Sequence, residues 1–375
     1  MDCPNCSTPH SEAARFCERC GTPLHAVLDR SNHFVADPDE PVRALALMST
    51  LMPHLSGRRH HLYRNVITLM LLASLLAAAF GSLAIALVLA AVALPIVVLI
   101  YLQDHDVWHG EPITLIGAGL VLSLVLGVGV GFLQNSLNAT GLLVSASGTL
   151  PGPSTILLVG VVVPVVTFVA LLVGPLIATA RPGFRHPVDE VVVSVLAGAA
   201  LSLGYCIVVQ QGAFTRLMAT AGDPAHVAFI ALTLGFLQPI IFATATAVAV
   251  VRLREPGTNK PVGIAIGLAL VVVYQLAATV LAPYGTKGIV VTTFVALLLV
   301  GAGLIATRQD LHNALIAEAN LALEGGHVAR AADVDDVCAH CGAALGEGAA
   351  FCQSCGTAAA TIAHAGKSAK STDSK

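Results

Sequence analysis

Long stretches of this chain contain only uncharged, mostly apolar residues. No charged residue occurs between Val66 and Leu102, and none occurs between Pro112 and Ala180. A helix that crosses a hydrocarbon core about 30 Å thick needs about 20 apolar residues. The pattern therefore predicts an all-α polytopic membrane bundle of about eight spanning helices. We place these spans at residues 62–81, 83–102, 112–133, 154–179, 189–210, 225–251, 262–282 and 288–307.

Three further features of the pattern predict local structure. The first two spans form one apolar run that only Gly81-Ser82 interrupts, which predicts a tight helical hairpin. Leu28 to Leu55 is polar and then amphipathic, and we expect it to lie on the membrane or against the bundle, with a solvated linker helix as the alternative. After the last span, Gln309 to Leu323 predicts a cytoplasmic helix that ends before Gly325-Gly326.

The positions of the basic residues predict how the bundle is oriented. Of the 19 Lys and Arg residues, all except Arg216 and Lys287 fall on one side if the spans alternate and both chain ends share that side. Cytoplasmic segments of membrane proteins are enriched in Lys and Arg. The sequence thus predicts an even number of spans, cytoplasmic termini and a multi-pass location in the plasma membrane, and we expect a bacterial protein.

Composition agrees with a membrane protein and argues against a protein that binds nucleic acid. The chain is 56% hydrophobic and only 11% charged, with a mean hydropathy of +0.82, whereas soluble domains carry about 25% charged residues. Its formal net charge is −3, so it has no basic field of the kind that attracts nucleic acid. We therefore expect the lipid bilayer, and a cytoplasmic or membrane protein, as its partners.

Eight of the nine cysteines form two quartets with the same spacing. In each, two C-x2-C pairs are separated by ten residues, so that four thiolates can surround one metal ion. A turn-compatible residue, Ser7, Gly21, Gly342 or Gly356, follows the second cysteine of each pair. Phe16 and Phe351 precede the third cysteine, where we expect each ring to fill the small core of its own module. The predicted metal ligands are Cys3, Cys6, Cys17, Cys20, Cys338, Cys341, Cys352 and Cys355.

These two segments resemble zinc-ribbon domains. The resemblance is carried by C-P-x-C at Cys3 to Cys6 and by F-C-x-x-C-G-T at Phe16 to Thr22 and Phe351 to Thr357. It implies two structural zinc ions per chain, because zinc held by four thiolates has no open coordination position. Disulfides or a redox C-x-x-C pair are the alternatives, which a reducing compartment and the lack of a surrounding βαβ pattern disfavour.

The chain accordingly divides into six regions. They are an N-terminal zinc ribbon at 1–25, a linker with an amphipathic helix at 26–61, the transmembrane domain at 62–307, a cytoplasmic helix and linker at 308–332, a C-terminal zinc ribbon at 333–358, and a disordered tail at 359–375.

The apolar spans offer few groups for catalysis. We expect the mid-membrane polar residues to form hydrogen bonds between helices or to mark span ends, and a substrate path is the alternative. These residues are Gln134, Asn135, Gln210, Gln211, Gln238 and Gln275. His105 and His109 have i, i+4 spacing, but Gly110 and Pro112 favour a turn rather than a metal site. Cys206 lies in an apolar run, which predicts an inert buried thiol.

Residues 60 to 300 resemble the PrsW family of intramembrane proteases. The resemblance is carried by the stretch from Leu94 to Pro112, by Pro164-Val165-Val166, by Phe184 to Asp189 and by Ala197 to Tyr205. The family's motifs E-E-x-x-K, F-x-x-x-E and H-x-x-x-D fall on residues that neither ligate a metal nor transfer a proton in its mechanism. These are Thr167, Phe168 and Leu171 for the first motif, Tyr205 and Val209 for the second, and Gln275 and Thr279 for the third. The resemblance thus implies a relative without catalytic groups.

The sequence as a whole predicts a non-catalytic integral membrane protein that displays two structural zinc ribbons in the cytoplasm for protein interaction, scaffolding or sensing. A PrsW-like intramembrane peptidase is one alternative. A small-solute transporter with helices interrupted at Pro164 and Pro239 is the other.

Overall fold

A computed structural model of the chain describes most of the apolar region and parts of both cysteine-rich segments. The described residues are 2–4, 6–11, 14–22, 24, 47–51, 59–105, 113–137, 150–180, 187–214, 223–254, 258–324, 344–346, 349–354 and 356. Among these residues the regular structure is helical and includes no strand, with an isolated bridge between Asp2 and Pro9. The predicted all-α class is confirmed for this part of the chain.

Twelve α-helices follow one another in the described part, with two π-helical segments and one 3-10 turn. They are α1 (Leu47–Leu51), α2 (Arg59–Ala79), α3 (Leu83–His105), α4 (Ile113–Ser136), α5 (Pro153–Leu157), a π-helix (Leu158–Val162), α6 (Val163–Ala178), α7 (Pro187–Val209), α8 (Gln211–Phe214), α9 (Pro224–Ile230), a π-helix (Ala231–Leu237), α10 (Gln238–Arg254), α11 (Lys260–Leu281), a 3-10 turn (Ala282–Tyr284) and α12 (Gly285–Glu324).

Six helical segments in the described ranges are long and apolar enough to cross a membrane. The last of them, Lys260–Ala314, contains α11 and most of α12 on either side of the 3-10 turn. The apolar part of α2, Tyr63–Ala79, is shorter than these six. Each predicted span overlaps one of these helices, and many large apolar side chains on them face outward, as lipid contact requires.

The hairpin predicted at Gly81-Ser82 is confirmed. Helix α2 ends at Ala79 and α3 begins at Leu83. Gly81 has a φ of 74°, a left-handed conformation that glycine adopts without steric cost.

Two segments form the centre of the bundle. In the most apolar 18-residue stretch of α7, 89% of the residues are buried, and the same measure is 83% for the segment Pro224–Arg254. For Gly117–Ser136 it is only 28%. These two central segments pack on each other, while α3, α4, α6, α11 and α12 surround them. The interior therefore lies where α7 meets α10.

Glycines allow α4 to approach α7 closely. A Cβ atom on Gly127 would lie 2.1 Å from the carbonyl oxygen of Leu201, and one on Gly204 would lie 2.2 Å from that of Leu124. Among the glycines at alternate positions of α4, Gly127 and Gly131 face α7, but Gly129 has open space beside it. Small residues at such contacts let two backbones touch, which favours helix association in lipid.

The two π-helical segments each lie just before a proline. Pro164 follows the first and Pro239 follows the second. A proline inside a helix has no N–H to donate, and its ring clashes with the carbonyl four residues earlier. That carbonyl belongs to Gly160 for Pro164 and to Gly235 for Pro239. The wider π turns occur where the ordinary ladder of hydrogen bonds is interrupted.

Helix α12 joins two elements that the sequence pattern separates. The predicted last span and the predicted cytoplasmic helix form one helix of 40 residues. Its later part, at Leu311 and Ala314, is buried, and α1 packs against α12, α2 and α7. Leu51 of α1 is fully buried, so the described part of the amphipathic segment lies against the bundle.

Candidate metal centre

The N-terminal quartet brings four thiols together. One sulfur atom from each of Cys3, Cys6, Cys17 and Cys20 lies within 4.8 Å of all the others. The Sγ atoms of Cys3 and Cys20 are 3.6 Å apart, and those of Cys6 and Cys17 are 3.5 Å apart. Disulfide sulfurs would be about 2.05 Å apart, and the described cysteines are free thiols.

This geometry fits zinc. Four sulfurs around a tetrahedral zinc ion at about 2.3 Å lie about 3.8 Å from one another, close to the separations observed here. Cys3 and Cys17 are buried, while Cys6 and Cys20 are partly exposed. Such a closed thiolate site would supply folding energy to a segment with little core of its own.

The backbone forms the same turn at each described cysteine pair. In the first ribbon, the N–H of Ser7 donates to the carbonyl of Cys3, and that of Gly21 donates to the carbonyl of Cys17. Ser7 and Gly21 have φ values of 55° and 70°. A left-handed residue after the second cysteine is the feature predicted from the sequence, and Ser7 adopts it despite its side chain.

Three side chains beside the sulfurs were not predicted. The hydroxyl of Thr8 lies 3.1 Å from the Sγ of Cys6, that of Thr22 lies 3.1 Å from the Sγ of Cys20, and the Nε2 of His10 lies 3.1 Å from the Sγ of Cys17. In the sequence, a threonine stands two residues after the second cysteine of both N-terminal pairs, which is a signal that could have identified both hydroxyls. Hydrogen bonds to ligand atoms orient them toward a metal.

Two of the metal-free thiols differ in acidity. The hydrogen bond from the Thr8 hydroxyl lowers the pKa of Cys6 to about 6. Burial raises the pKa of Cys17 to about 12. Zinc binds thiolates, so loading this quartet displaces a proton from Cys17.

The C-terminal quartet is described in part. Cys352 is buried, and the N–H of Gly356 donates to its carbonyl. Gly356 has a φ of 76°, so this turn matches that of Cys17 to Gly21. Cys338, Cys341 and Cys355 lie outside the described residues.

The two ribbons pair with each other through their backbones. The N–H groups of Arg15 and Phe16 both donate to the carbonyl of Gln353, at 2.9 and 3.0 Å. In the reverse direction, the N–H groups of Ala350 and Phe351 both donate to the carbonyl of Glu18, at 2.8 and 2.9 Å. Each hydrogen bond from the first ribbon to the second has an equivalent in the opposite direction. The interface therefore has the two-fold form of a homodimer interface, although both halves belong to one chain.

Each phenylalanine packs on the opposite ribbon. A Cβ atom built on Gly21 would lie 3.2 Å from the ring of Phe351, and one on Gly356 would lie 3.1 Å from the ring of Phe16. Both rings are buried. Each ring therefore also covers the metal-binding turn of the other ribbon, a contact that the sequence did not predict.

The polar residues of the bundle interior bond mainly to one another. The hydroxyl of Tyr205 donates to the Oε1 of Gln134 at 2.5 Å, and the Nε2 of Gln275 donates to the Tyr205 hydroxyl at 3.5 Å. The Tyr274 hydroxyl donates to the Oε1 of Gln238 at 3.0 Å, and the Nε2 of Gln238 donates to the Oγ of Ser202 at 3.2 Å. These bonds join α4, α7, α10 and α11, as predicted for interhelical hydrogen bonds.

The other polar residues predicted to lie within the membrane differ in burial and in hydrogen bonding. The Nδ2 of Asn135 donates to the carbonyl of Val208, and Gln211 is exposed. Gln210 is buried, and its side-chain atoms make no hydrogen bond within the described part of the chain. Cys206 is buried in an apolar cluster, as predicted.

The residues on which the sequence resemblance placed the PrsW motifs are apolar or hydrogen-bonded. Thr167 donates to the carbonyl of Val163 within its own helix, and Thr279 donates to that of Gln275. Tyr205 and Gln275 are in contact, as described above. Of the interfacial pair, the side chain of His105 and all of His109 lie outside the described residues.

Sequence reasoning missed the charged groups that are buried at one end of the bundle. Asp189 and Glu190, in the first turn of α7, are each 2% exposed. Arg252 of α10 forms a two-pronged ion pair with Asp310 of α12, with both N–O distances at 2.7 Å. The signal in the sequence was the position of these charges at the ends of apolar runs, but burial depends on the elements that cover them.

Comparison with known proteins identifies the two ends of the chain. No match was found among curated proteins or among solved structures. A family model for the zinc-ribbon domain matches residues 3–24 and residues 337–358. Together with the sulfur cluster, this match identifies two zinc-ribbon segments that flank a bundle of apolar helices.

Proposed function

We propose that this chain is a non-catalytic multi-pass membrane protein that presents its paired zinc ribbons as one docking module for a cytoplasmic or membrane protein. The observation that carries the proposal is the closed four-sulfur site on a ribbon that is paired with the second ribbon. A site of this kind leaves zinc no position for substrate. In the described bundle, many interior polar groups are occupied by hydrogen bonds to each other or to backbone carbonyls, which favours packing over solute or peptide chemistry.

The proposal includes eight crossings with both ribbons in the cytoplasm of a bacterial cell. Three contacts support it: α7 packs against α1, Arg254 of α10 donates to the carbonyl of Leu176 in α6, and Arg252 binds Asp310 of α12. These contacts support an even number of crossings, because they bring the ends of α6 and α10 together with the later part of α12. Leu345 and Cys352 belong to the same buried apolar cluster as Leu51 and Leu311, which supports a second ribbon that packs against the bundle.

Zinc content tests the metal part of the proposal. We expect two zinc ions per chain in purified protein by elemental analysis, and one ion after Cys17→Ser at saturating zinc. Cys206→Ala is the matched control, because this thiol lies outside both quartets, and it should retain both ions. A wild-type protein with no zinc and eight freely titrating thiols would contradict the proposal.

Crosslinking tests the docking role. A photoreactive amino acid at the exposed position Arg19 should give a discrete protein adduct in intact cells. The adduct should be lost when Cys17→Ser is added and retained with Cys206→Ala. The same label at Leu298, which is 76% exposed on α12, controls for contacts made by the lipid-facing surface. Absence of any adduct specific to Arg19 would reject the docking role.

Reporter fusions test the orientation. Fusions at either end of the chain should report a cytoplasmic location. A fusion in the segment that contains Arg216 should report an external one. An external signal at one chain end only would require an odd number of crossings.

A further inference from the structure

The surface that joins the two ribbons belongs to the turns that hold the metal ligands. Glu18 and Gln353, whose carbonyls accept the inter-ribbon hydrogen bonds, directly follow Cys17 and Cys352. Gly21 and Gly356, on which the opposite rings pack, directly follow Cys20 and Cys355. The conformation that presents the ligands is therefore the same conformation that presents the interface.

Each ribbon also depends on the other for its apolar contacts. Phe16 and Phe351 are 3% and 2% exposed, and each ring touches the glycine of the opposite turn. Modules this short bury too little apolar surface to fold alone and rely on their metal. A ribbon whose partner has unfolded would lose the cover on its own metal-binding turn and four backbone hydrogen bonds.

We propose that the two ribbons bind zinc cooperatively, as one module in which zinc in either quartet raises the affinity of the other. The interface transmits the effect, because it forms only when both turns have their metal-bound shape. Coupling free energies between sites correspond to about 5-fold to 150-fold in affinity, and we expect about tenfold here. The proposal goes beyond the docking role and requires only that both quartets bind zinc.

Native mass spectrometry of the full-length chain in detergent tests this proposal, because it resolves chains with zero, one and two zinc ions. At half-saturation set by a zinc buffer, independent equal sites leave about half of the chains with one ion, and unequal sites leave more. Tenfold coupling lowers this fraction to about a quarter. A one-zinc fraction of half or more in the wild type would overturn the proposal, even if saturation reaches two ions.

Variants of the interface that retain all eight thiols distinguish the coupling between the two zinc sites from zinc ligation itself. Phe351→Ala should return the one-zinc fraction to about half or more, since it removes the ring that covers Gly21. Asp2→Asn, at an exposed residue of the first ribbon, is the control and should behave as the wild type. Circular dichroism should show an unchanged helical bundle, and Phe351→Leu serves as a milder variant. A distribution that is unaffected by both phenylalanine variants would overturn the proposal.

The affinity of one quartet alone gives a second, independent measure. In Cys352→Ser, competition with a chromogenic chelator should show half-saturation of the N-terminal quartet at about threefold more free zinc than the wild-type chain needs, because tenfold coupling shifts the wild-type midpoint by about the square root of ten. An unchanged affinity would overturn the proposal. Loss of all zinc from the wild type would instead overturn the metal part of the proposed function, so the two failures are distinguishable.

Discussion

At the scale of single residues, the metal centre depends on backbone positions that few side chains tolerate. Ser7, Gly21 and Gly356 all have positive φ values, and each follows the second cysteine of a pair. The quartet spacing, these turns and the positions of Thr8 and Thr22 could be predicted because they are local, whereas the contact between His10 and the sulfur of Cys17 depends on how the whole ribbon folds.

Two substitutions at these turns should have opposite consequences. Gly21→Ala should weaken zinc binding and destabilise the ribbons by about 1–2 kcal/mol, because an L-residue is strained at a φ of 70° and its Cβ would crowd the ring of Phe351. Ser7→Gly should not destabilise them, since glycine removes the strain at a φ of 55°. Chelator competition on the two purified variants measures both effects. Equal loss in both variants would contradict this account of the turns.

At the scale of helices, the bundle is held by close approach and by uncharged hydrogen bonds. Helix α4 meets α7 at glycines, and Tyr205 of α7 is bonded to Gln134 of α4. The sequence pattern predicted the helices and the polar residues that join them. It did not distinguish Gly127 from Gly129, because the face of α4 that meets α7 follows from packing.

A pair of glycine substitutions on α4 tests this packing. Gly127→Ala should destabilise the bundle by about 1–3 kcal/mol, the usual cost of overpacking, because its Cβ would lie 2.1 Å from a carbonyl of α7. Gly129→Ala is the matched control. It has open space beside it and should be neutral or stabilising by up to about 1 kcal/mol. Thermal unfolding in detergent, followed by circular dichroism, compares them, and a similar loss in both would reject the packing.

Removal of one hydroxyl tests the polar contact between the same helices. Tyr205→Phe should destabilise the bundle by about 0.6–1.7 kcal/mol, the range measured for hydrogen bonds between membrane helices. The partner change Gln134→Leu should add little in the double variant, because both substitutions remove the same bond. Fully additive losses in unfolding experiments would show that this bond does not couple the helices.

At the scale of the whole molecule, α12 links the bundle to the C-terminal part of the chain. It runs without interruption from Gly285 to Glu324, and its residue Asp310 is tied to Arg252 of α10. The side chains of Arg252 and Asp310 are 20% and 6% exposed. The ion pair thus fixes the position of α12 at the end of the bundle where α1 packs.

Removing one partner of this ion pair should destabilise the protein more than replacing both partners by apolar residues. Asp310→Ala should destabilise the protein by about 1–3 kcal/mol, less than a fully buried pair, because the guanidinium of Arg252 loses its partner but keeps some solvent. The double variant Arg252→Leu, Asp310→Leu should recover much of that loss, because no charge is left buried. Denaturant unfolding of the wild type and both variants provides the comparison. A double variant less stable than Asp310→Ala would contradict the prediction.

The sequence by itself determined the helices and the N-terminal cysteine quartet, because hydropathy over about 20 residues and a C-x2-C spacing act locally. It could not determine that α12 is continuous, that Asp189 and Glu190 are buried, or that Phe16 and Phe351 each pack on the opposite ribbon. Those properties join residues from opposite ends of the chain or from separate helices. They were decided only by tertiary structure, because packing selects which faces meet, and it buries a side chain according to what covers it.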